Sequence, residues 1–147
     1  MWQKSVYLHK VETQASTTST MSGMKQILFS DELPSSRFYS HGVKVGNTIY
    51  LSGIVAFDPL TKKVEVKTVG EQTERAIRNC ELILKKGGAG LEHVVQVIVL
   101  LKNPQDFDSM NDAYSKLFSK DPPVRAVAKL GVDLPNVLVS LMMTAVI

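Results

Sequence analysis

Two stretches of this chain carry a helical apolar stripe, and each carries it on one side only. In residues 69–86, Ala76, Ile77, Cys80, Ile83 and Leu84 recur at helical spacing. Thr68 and Glu71 form a capping box ahead of them, and Gly87-Gly88 ends the run. The second helix is predicted to begin at Asn103-Pro104, a cap residue with proline at the first helical position. Its stripe is Phe107, Met110, Tyr114, Leu117 and Phe118, and Pro122-Pro123 stop it. The remaining apolar segments read as strands: Ile27–Phe29, Val43–Val45, Ile49–Leu51, His93–Leu101, Val124–Leu130 and Val137–Ile147. Gly46-Asn47 makes a hairpin between the second and third. The third is predicted to run on through Gly53, a glycine that marks a weak strand or a close backbone approach. Helices apolar on one side cover one face of a sheet. The strands are apolar enough to be buried on both faces. The second face therefore needs a partner, and oligomerisation is expected to supply it.

Composition narrows the function classes. The 147 residues suit one domain. Residues 1–24, with the polar run Thr13–Thr20, read as a low-complexity N-terminal extension, and residues 25–147 as the domain proper. An alternative makes Val6, Leu8 and Val11 an added strand. Cys80 is the only cysteine, which excludes an internal disulfide framework, and three scattered histidines argue against a metal site. No apolar run reaches the length of a membrane helix. No secretory h-region precedes residue 24, and no arginine precedes Arg37. The expected location is a reducing compartment, cytoplasmic first and mitochondrial as the alternative. A net charge of +3, with 17 basic and 14 acidic residues, argues against a dedicated nucleic-acid binder.

Few residues are placed to do chemistry. No glycine-rich phosphate loop precedes a helix, and no serine sits in a nucleophile elbow. Cys80 falls on the apolar stripe and reads as a core thiol. His41 and His93 read as hydrogen-bonded loop residues. Arg125 stands out because it lies in the otherwise apolar segment Val124–Val127, where it is expected to be buried and an unpaired buried charge costs several kcal/mol. It is expected either in a structural ion pair or as a clamp for a ligand carboxylate, whose geometry the guanidinium fork matches.

Several segments, taken in order, resemble the RidA/YjgF family of small imine deaminases, also called the endoribonuclease L-PSP family. Phe38-Tyr39-Ser40-His41-Gly42-Val43 stands where that family has Gly-Pro-Tyr-Ser-Gln-Ala-Val. Val45–Gly53 resembles its hairpin, Gln72-Thr73 with Ala76 and Asn79 its first helix, and Val94–Val97 its central strand. Asp106–Tyr114, Pro123-Val124-Arg125 and Leu134-Pro135 complete the pattern. The resemblance covers residues 25–147. It implies an α+β, chorismate-mutase-like fold, a mixed sheet with two helices on one face, assembled as a homotrimer. It implies hydrolysis of 2-imino acids to 2-keto acids and ammonia in clefts between subunits, with no metal or organic cofactor. Arg125 inherits the role of binding the substrate carboxylate, and Tyr39 that of the site tyrosine. Ser52 and Gly53 match the strand end that lines the pocket, and Asn111 a polar site residue on the second helix.

The departures concern the acid. The family carries a glutamate on its last strand. Counting from Arg125 puts Ser140 there, and counting from Leu134-Pro135 puts Leu141 there. No Asp or Glu follows Asp133. Ile54 and Val127 replace a frequent glutamine and cysteine, and Arg37-Phe38 replaces the Gly-Pro pair. A carboxylate base contributes about 10²–10⁴-fold, so the first expectation is a weak or altered imine deaminase with Arg125 and Tyr39 catalytic, and Arg125, Ser52, Gly53, Asn111 and Ser140 binding substrate. The alternative is a non-catalytic binder of small carboxylates. A third reading, RNA cleavage with His41 as acid or base, ranks last because no basic stripe accompanies it.

Overall fold

Helix α1 (Val69–Lys86) forms where its apolar spacing predicts, and both halves of the capping box close. The Thr68 hydroxyl accepts from the Glu71 N–H at 3.2 Å, and the Glu71 carboxylate accepts from the Thr68 N–H at 3.4 Å. At the other end the Gly87 N–H donates to Leu84 O. These contacts belong to a computed structural model that describes residues 24–147. The reading of residues 1–24 as an extension, and of Val6, Leu8 and Val11 as a strand, thus lies outside the described residues except for Met24.

Helix α2 (Phe107–Leu117) starts later than the sequence suggests. Pro104–Asp106 forms a 3₁₀ turn ahead of it, closed by the Phe107 N–H on Pro104 O, and the Asn103 side chain makes no cap bond. Phe107 is consequently exposed, and the buried stripe is Met110, Tyr114 and Phe118.

Six strands make one sheet: β1 (Lys25–Leu28), β2 (Gly42–Val45), β3 (Thr48–Leu51), β4 (Val94–Leu101), β5 (Val124–Lys129) and β6 (Val139–Val146). Their order is β1-β2-β3-β6-β4-β5. The first three form an antiparallel meander, with Gly46 at φ +58° in the two-residue turn that joins β2 to β3. Strand β6 is inserted antiparallel between β3 and β4. Strands β4 and β5 are parallel, and their connection through α2 supplies the crossover such a pair needs. The last strand is shorter than predicted: the Val137 N–H closes a turn on Leu134 O, and the Leu138 N–H is taken by Gln72 Oε1.

Both helices lie on one face, so the fold is α+β with a mixed sheet. On the covered face Ile49, Val97, Val99, Leu141, Met143 and Ala145 are essentially inaccessible, packed under Ala76, Ile77, Cys80, Ile83 and Leu84 of α1. Among the described residues nothing covers the opposite face. The register aligns Ile27, Val43, Tyr50, Thr144, Gln96 and Val124 in one row across all six strands. Within that row Ile27 is 51%, Tyr50 52% and Val124 68% exposed. This is the face for which the sequence expects a partner, with oligomerisation supplying the cover.

Candidate functional site

The end of β3 places the first group of candidate residues. Ser52 is held at the strand exit by its N–H on His41 O at 3.0 Å and by its hydroxyl on Ser40 O at 2.6 Å. Ile54 then pairs with Leu141 of β6 through two backbone bonds of 2.8 and 2.9 Å. The strand does not run unbroken through Gly53. β3 ends at Leu51, and Ile54 makes an isolated bridge beyond it. A Cβ on Gly53 would sit 3.1 Å from Ser140 Oγ, so the glycine serves a close backbone approach. Gly53, Ser140 and the half-exposed Tyr39 line one cleft of about 530 Å³ with Val55, Phe57 and Asn136. The two counts for the last strand are thereby separated. Ser140 faces the cleft, while Leu141 is fully buried in the core.

Two buried amides on α1 fix the cleft walls. Gln72 Nε2 donates to Val66 O at 3.0 Å and to Asn136 O at 2.8 Å, and its Oε1 accepts from the Leu138 N–H at 2.9 Å. Asn79 Nδ2 donates to Val55 O at 3.0 Å and Phe57 O at 2.8 Å. Sequence reasoning assigned neither residue this role. The signal was present: two amides seven positions apart on a buried stripe must find partners, and backbone is what surrounds them. The cleft's charged residues, Lys62, Lys63, Glu65 and Lys67, were missed as well. They lie on a loop whose sequence carries no helical or strand period.

Arg125 and Asn111 form a second group, apart from the cleft. Arg125 lies on β5, an edge strand paired only with β4. It is exposed, which corrects the expectation of a buried charge. An edge strand keeps solvent on one side, so the desolvation cost does not arise. Among the described residues Arg125 makes no ion pair. Its Nη1 donates to Asn111 Oδ1 at 2.7 Å. Its Cζ sits 4.8 Å from the Tyr114 ring centroid and 5.9 Å from that of Phe107. Burial raises the Tyr114 pKa, opposed in part by the Arg125 cation. Beside the guanidinium, Phe107, Leu101, Pro104 and Val127 line an apolar hollow of about 260 Å³. By register Arg125 shares a face with Val97 and Met143, whereas Ser140 pairs with Leu100 and points to the other face. Strand β4 separates β5 from β6, a lateral gap of about 10 Å. One chain does not bring its arginine to its own Tyr39–Gly53–Ser140 cleft.

His41, His93 and Cys80 have structural surroundings. His41 is buried, its Nδ1 accepts from the Ser30 N–H at 3.1 Å, and its Nε2 lies 2.8 Å from Pro34 O. Those bonds require the neutral Nε2–H tautomer and leave neither nitrogen for acid–base work, which counts against the RNA-cleavage reading. The ring also stacks on Phe29. His93 Nδ1 accepts from the Gly90 N–H at 2.9 Å. Cys80 is a core thiol whose pKa burial pushes up. Among the described residues no three His, Cys, Asp or Glu side chains gather as metal ligands would. None of the described helices is long and apolar enough to cross a membrane.

Known proteins resemble this chain over most of the described part. The profile of the endoribonuclease L-PSP family matches residues 29–147. A RutC family protein of Saccharolobus solfataricus is 42% identical over 108 residues, which is 73% of this chain and 86% of that protein. The 2-iminobutanoate/2-iminopropanoate deaminase of Homo sapiens is 36% identical over 88 residues, 60% of this chain and 64% of that protein. Among solved structures, RidA from an Antarctic Psychrobacter superposes with a TM-score of 0.77 at 30% identity, covering 83% of this chain and 99% of the other. The segment order, the one-sided sheet and these likenesses agree: the chain belongs to the endoribonuclease L-PSP family, the family of the RutC and RidA proteins.

Proposed function

We propose that residues 25–147 form a 2-imino acid deaminase domain that acts as a homotrimer, in the cytoplasm, with each site shared between two subunits. The observation that carries the reading is Arg125. It is a solvent-facing guanidinium held by Asn111 and by aromatic rings, with no carboxylate paired to it among the described residues. Such a fork is preorganised for a ligand carboxylate. The bare sheet face supports assembly, and because Arg125 lies across β4 from its own cleft, a neighbouring copy is the source that would complete a Tyr39 cleft with an Arg125 group. The names of the human and Arabidopsis thaliana relatives, deaminases of imines and of reactive intermediates, support the chemistry.

In the reaction a protonated imine, C=NH₂⁺, and one water become a ketone and ammonium. Arg125 holds the substrate carboxylate, and Tyr39 fixes the other end of the substrate. Ser52 sets the strand exit, so that the open backbone at Gly53 reaches the reacting carbon. Ser140 Oγ orients the attacking water. A serine is a weak base, so the step draws on positioning and on the intrinsic reactivity of imines, without the roughly 10²–10⁴-fold a carboxylate base adds. Neither a metal nor an organic cofactor enters.

The test is ammonia release from freshly generated 2-iminobutyrate. The protein accelerates release over buffer, and Arg125→Ala lowers kcat/KM about 10²-fold, as expected for a lost charge-assisted clamp. No acceleration by pure, assembled protein sinks the proposal. Ser140 favours a second reading, a non-catalytic binder of small carboxylates. That reading predicts thermal stabilisation by 2-oxobutyrate without turnover of any imine.

A further inference from the structure

We propose that the cleft selects ligands bearing a second acid, imino acids of the dicarboxylic class, through Lys62, Lys63 and Lys67. The inference rests on the reading of the cleft as the imine site. All three lysines line the same cleft as Tyr39, Gly53 and Ser140, against the single carboxylate of Glu65. Among the described residues none of the three takes part in an ion pair. They leave the cleft with an excess of two positive charges.

The loop that carries two of them is built rather than slack. Asp58 Oδ1 accepts from the N–H groups of Leu60 at 2.8 Å and Thr61 at 3.2 Å. Those two bonds hold the Asp58 carboxyl below its ordinary range. The Lys62 N–H donates to Asp58 O at 2.7 Å, and the Asp58 N–H to Lys63 O at 2.8 Å. Phe57 and Val64 close the loop as an antiparallel bridge, and Asn79 holds Phe57 O from below. Within this frame Lys62 sits at φ +60°. Glycine or asparagine adopts that left-handed conformation at lower cost, and a lysine there is strained. A strained cation at the lip of a cleft, where glycine would relax the turn, points to a use for its charge.

The charge fits one ligand class. With the imine's own carboxylate on Arg125, an aliphatic side chain offers nothing to the lysines, whereas a second carboxylate lies in their field. Exposed cations act mainly through local potential, which steers encounter and fades as salt screens it.

The experiment compares kcat/KM for imines generated by amino-acid oxidases from glutamate and from 2-aminobutyrate. The native protein and the variant K62G/K63A/K67A are measured at low and at 0.3 M salt. The native protein prefers the dicarboxylic imine at low salt. The variant, and high salt, reduce that preference about tenfold. In parallel, calorimetry measures binding of 2-oxoglutarate against 2-oxobutyrate, which needs no turnover. K62G alone keeps or raises the melting temperature, because it relieves the turn. Turnover of both imines with a ratio indifferent to variant and salt overturns the lysine proposal and leaves the deaminase reading standing. A charge-dependent preference for 2-oxoglutarate without any imine turnover overturns the deaminase reading and leaves the lysine proposal standing.

Discussion

The two faces of the sheet are made by the same strands, residue by residue, yet they have opposite fates. Along β6, Leu141 and Met143 are sealed beneath α1, while Met142 between them is 41% exposed and Val146 43%. Along β3, Ile49 is buried and its neighbour Tyr50 half exposed. Side-chain alternation decides which residue goes to which face. It does not decide whether a face is covered. The helices cover one face because each has a single apolar stripe. The other is apolar enough to be costly in water, and nothing among the described residues lies upon it. Among the described residues one face is packed internally, and the contrast supports the proposal that copies of the chain cover the other.

The comparison can be broken or sharpened by substitution on either side. Leu141→Ala removes a fully buried side chain from the covered face, and a loss of about 2–5 kcal/mol in urea unfolding is expected. A loss below about 1 kcal/mol would mean that the covered face is not the main core. On the bare face, Met142→Glu should leave the single chain folded by circular dichroism and convert the proposed trimer to monomer in light scattering. It should also abolish imine hydrolysis, although Met142 does not line the cleft. An unchanged assembly would show that copies do not meet on this face. The smallest effect belongs to the cover itself. Thr68→Ala deletes one half of the α1 capping box and should cost about 1 kcal/mol with the oligomeric state intact. A change of oligomeric state in that variant would tie α1 to the assembly rather than to the core alone.

Local patterns were legible in particular residues. The spacing of Ala76, Ile77, Cys80, Ile83 and Leu84, framed by Thr68 and Gly87, gives α1 its bounds as observed. Gly46-Asn47 gives the hairpin, though only Gly46 takes the left-handed backbone. The apolar stripe on Met110 and Tyr114 gives α2, yet its first turn was misread. Proline at the first position is equally at home in a 3₁₀ turn, and nothing local says which will follow. Arg125 was singled out for its chemistry, and the argument from burial was wrong. Whether a strand lies at an edge depends on sheet order, which an isolated segment does not record.

By itself, then, the sequence determined the one-sided helices, the apolar strands and the residue types on which the proposed chemistry depends, Arg125, Tyr39 and the missing last-strand acid among them. The helices and strands follow from capping and side-chain period, which are local properties, whereas Tyr39 and the missing acid are what the family resemblance implies. Only the tertiary structure decided that Ser140 rather than Leu141 faces the cleft, because that follows from the pairing of β6 with Ile54, a contact across 87 residues of chain. It likewise decided that Gln72 and Asn79 hold the cleft walls and that three lysines stand at its lip. And it set Arg125 on the far side of β4 from its own cleft, because strand order is fixed by long-range packing and not by any one strand.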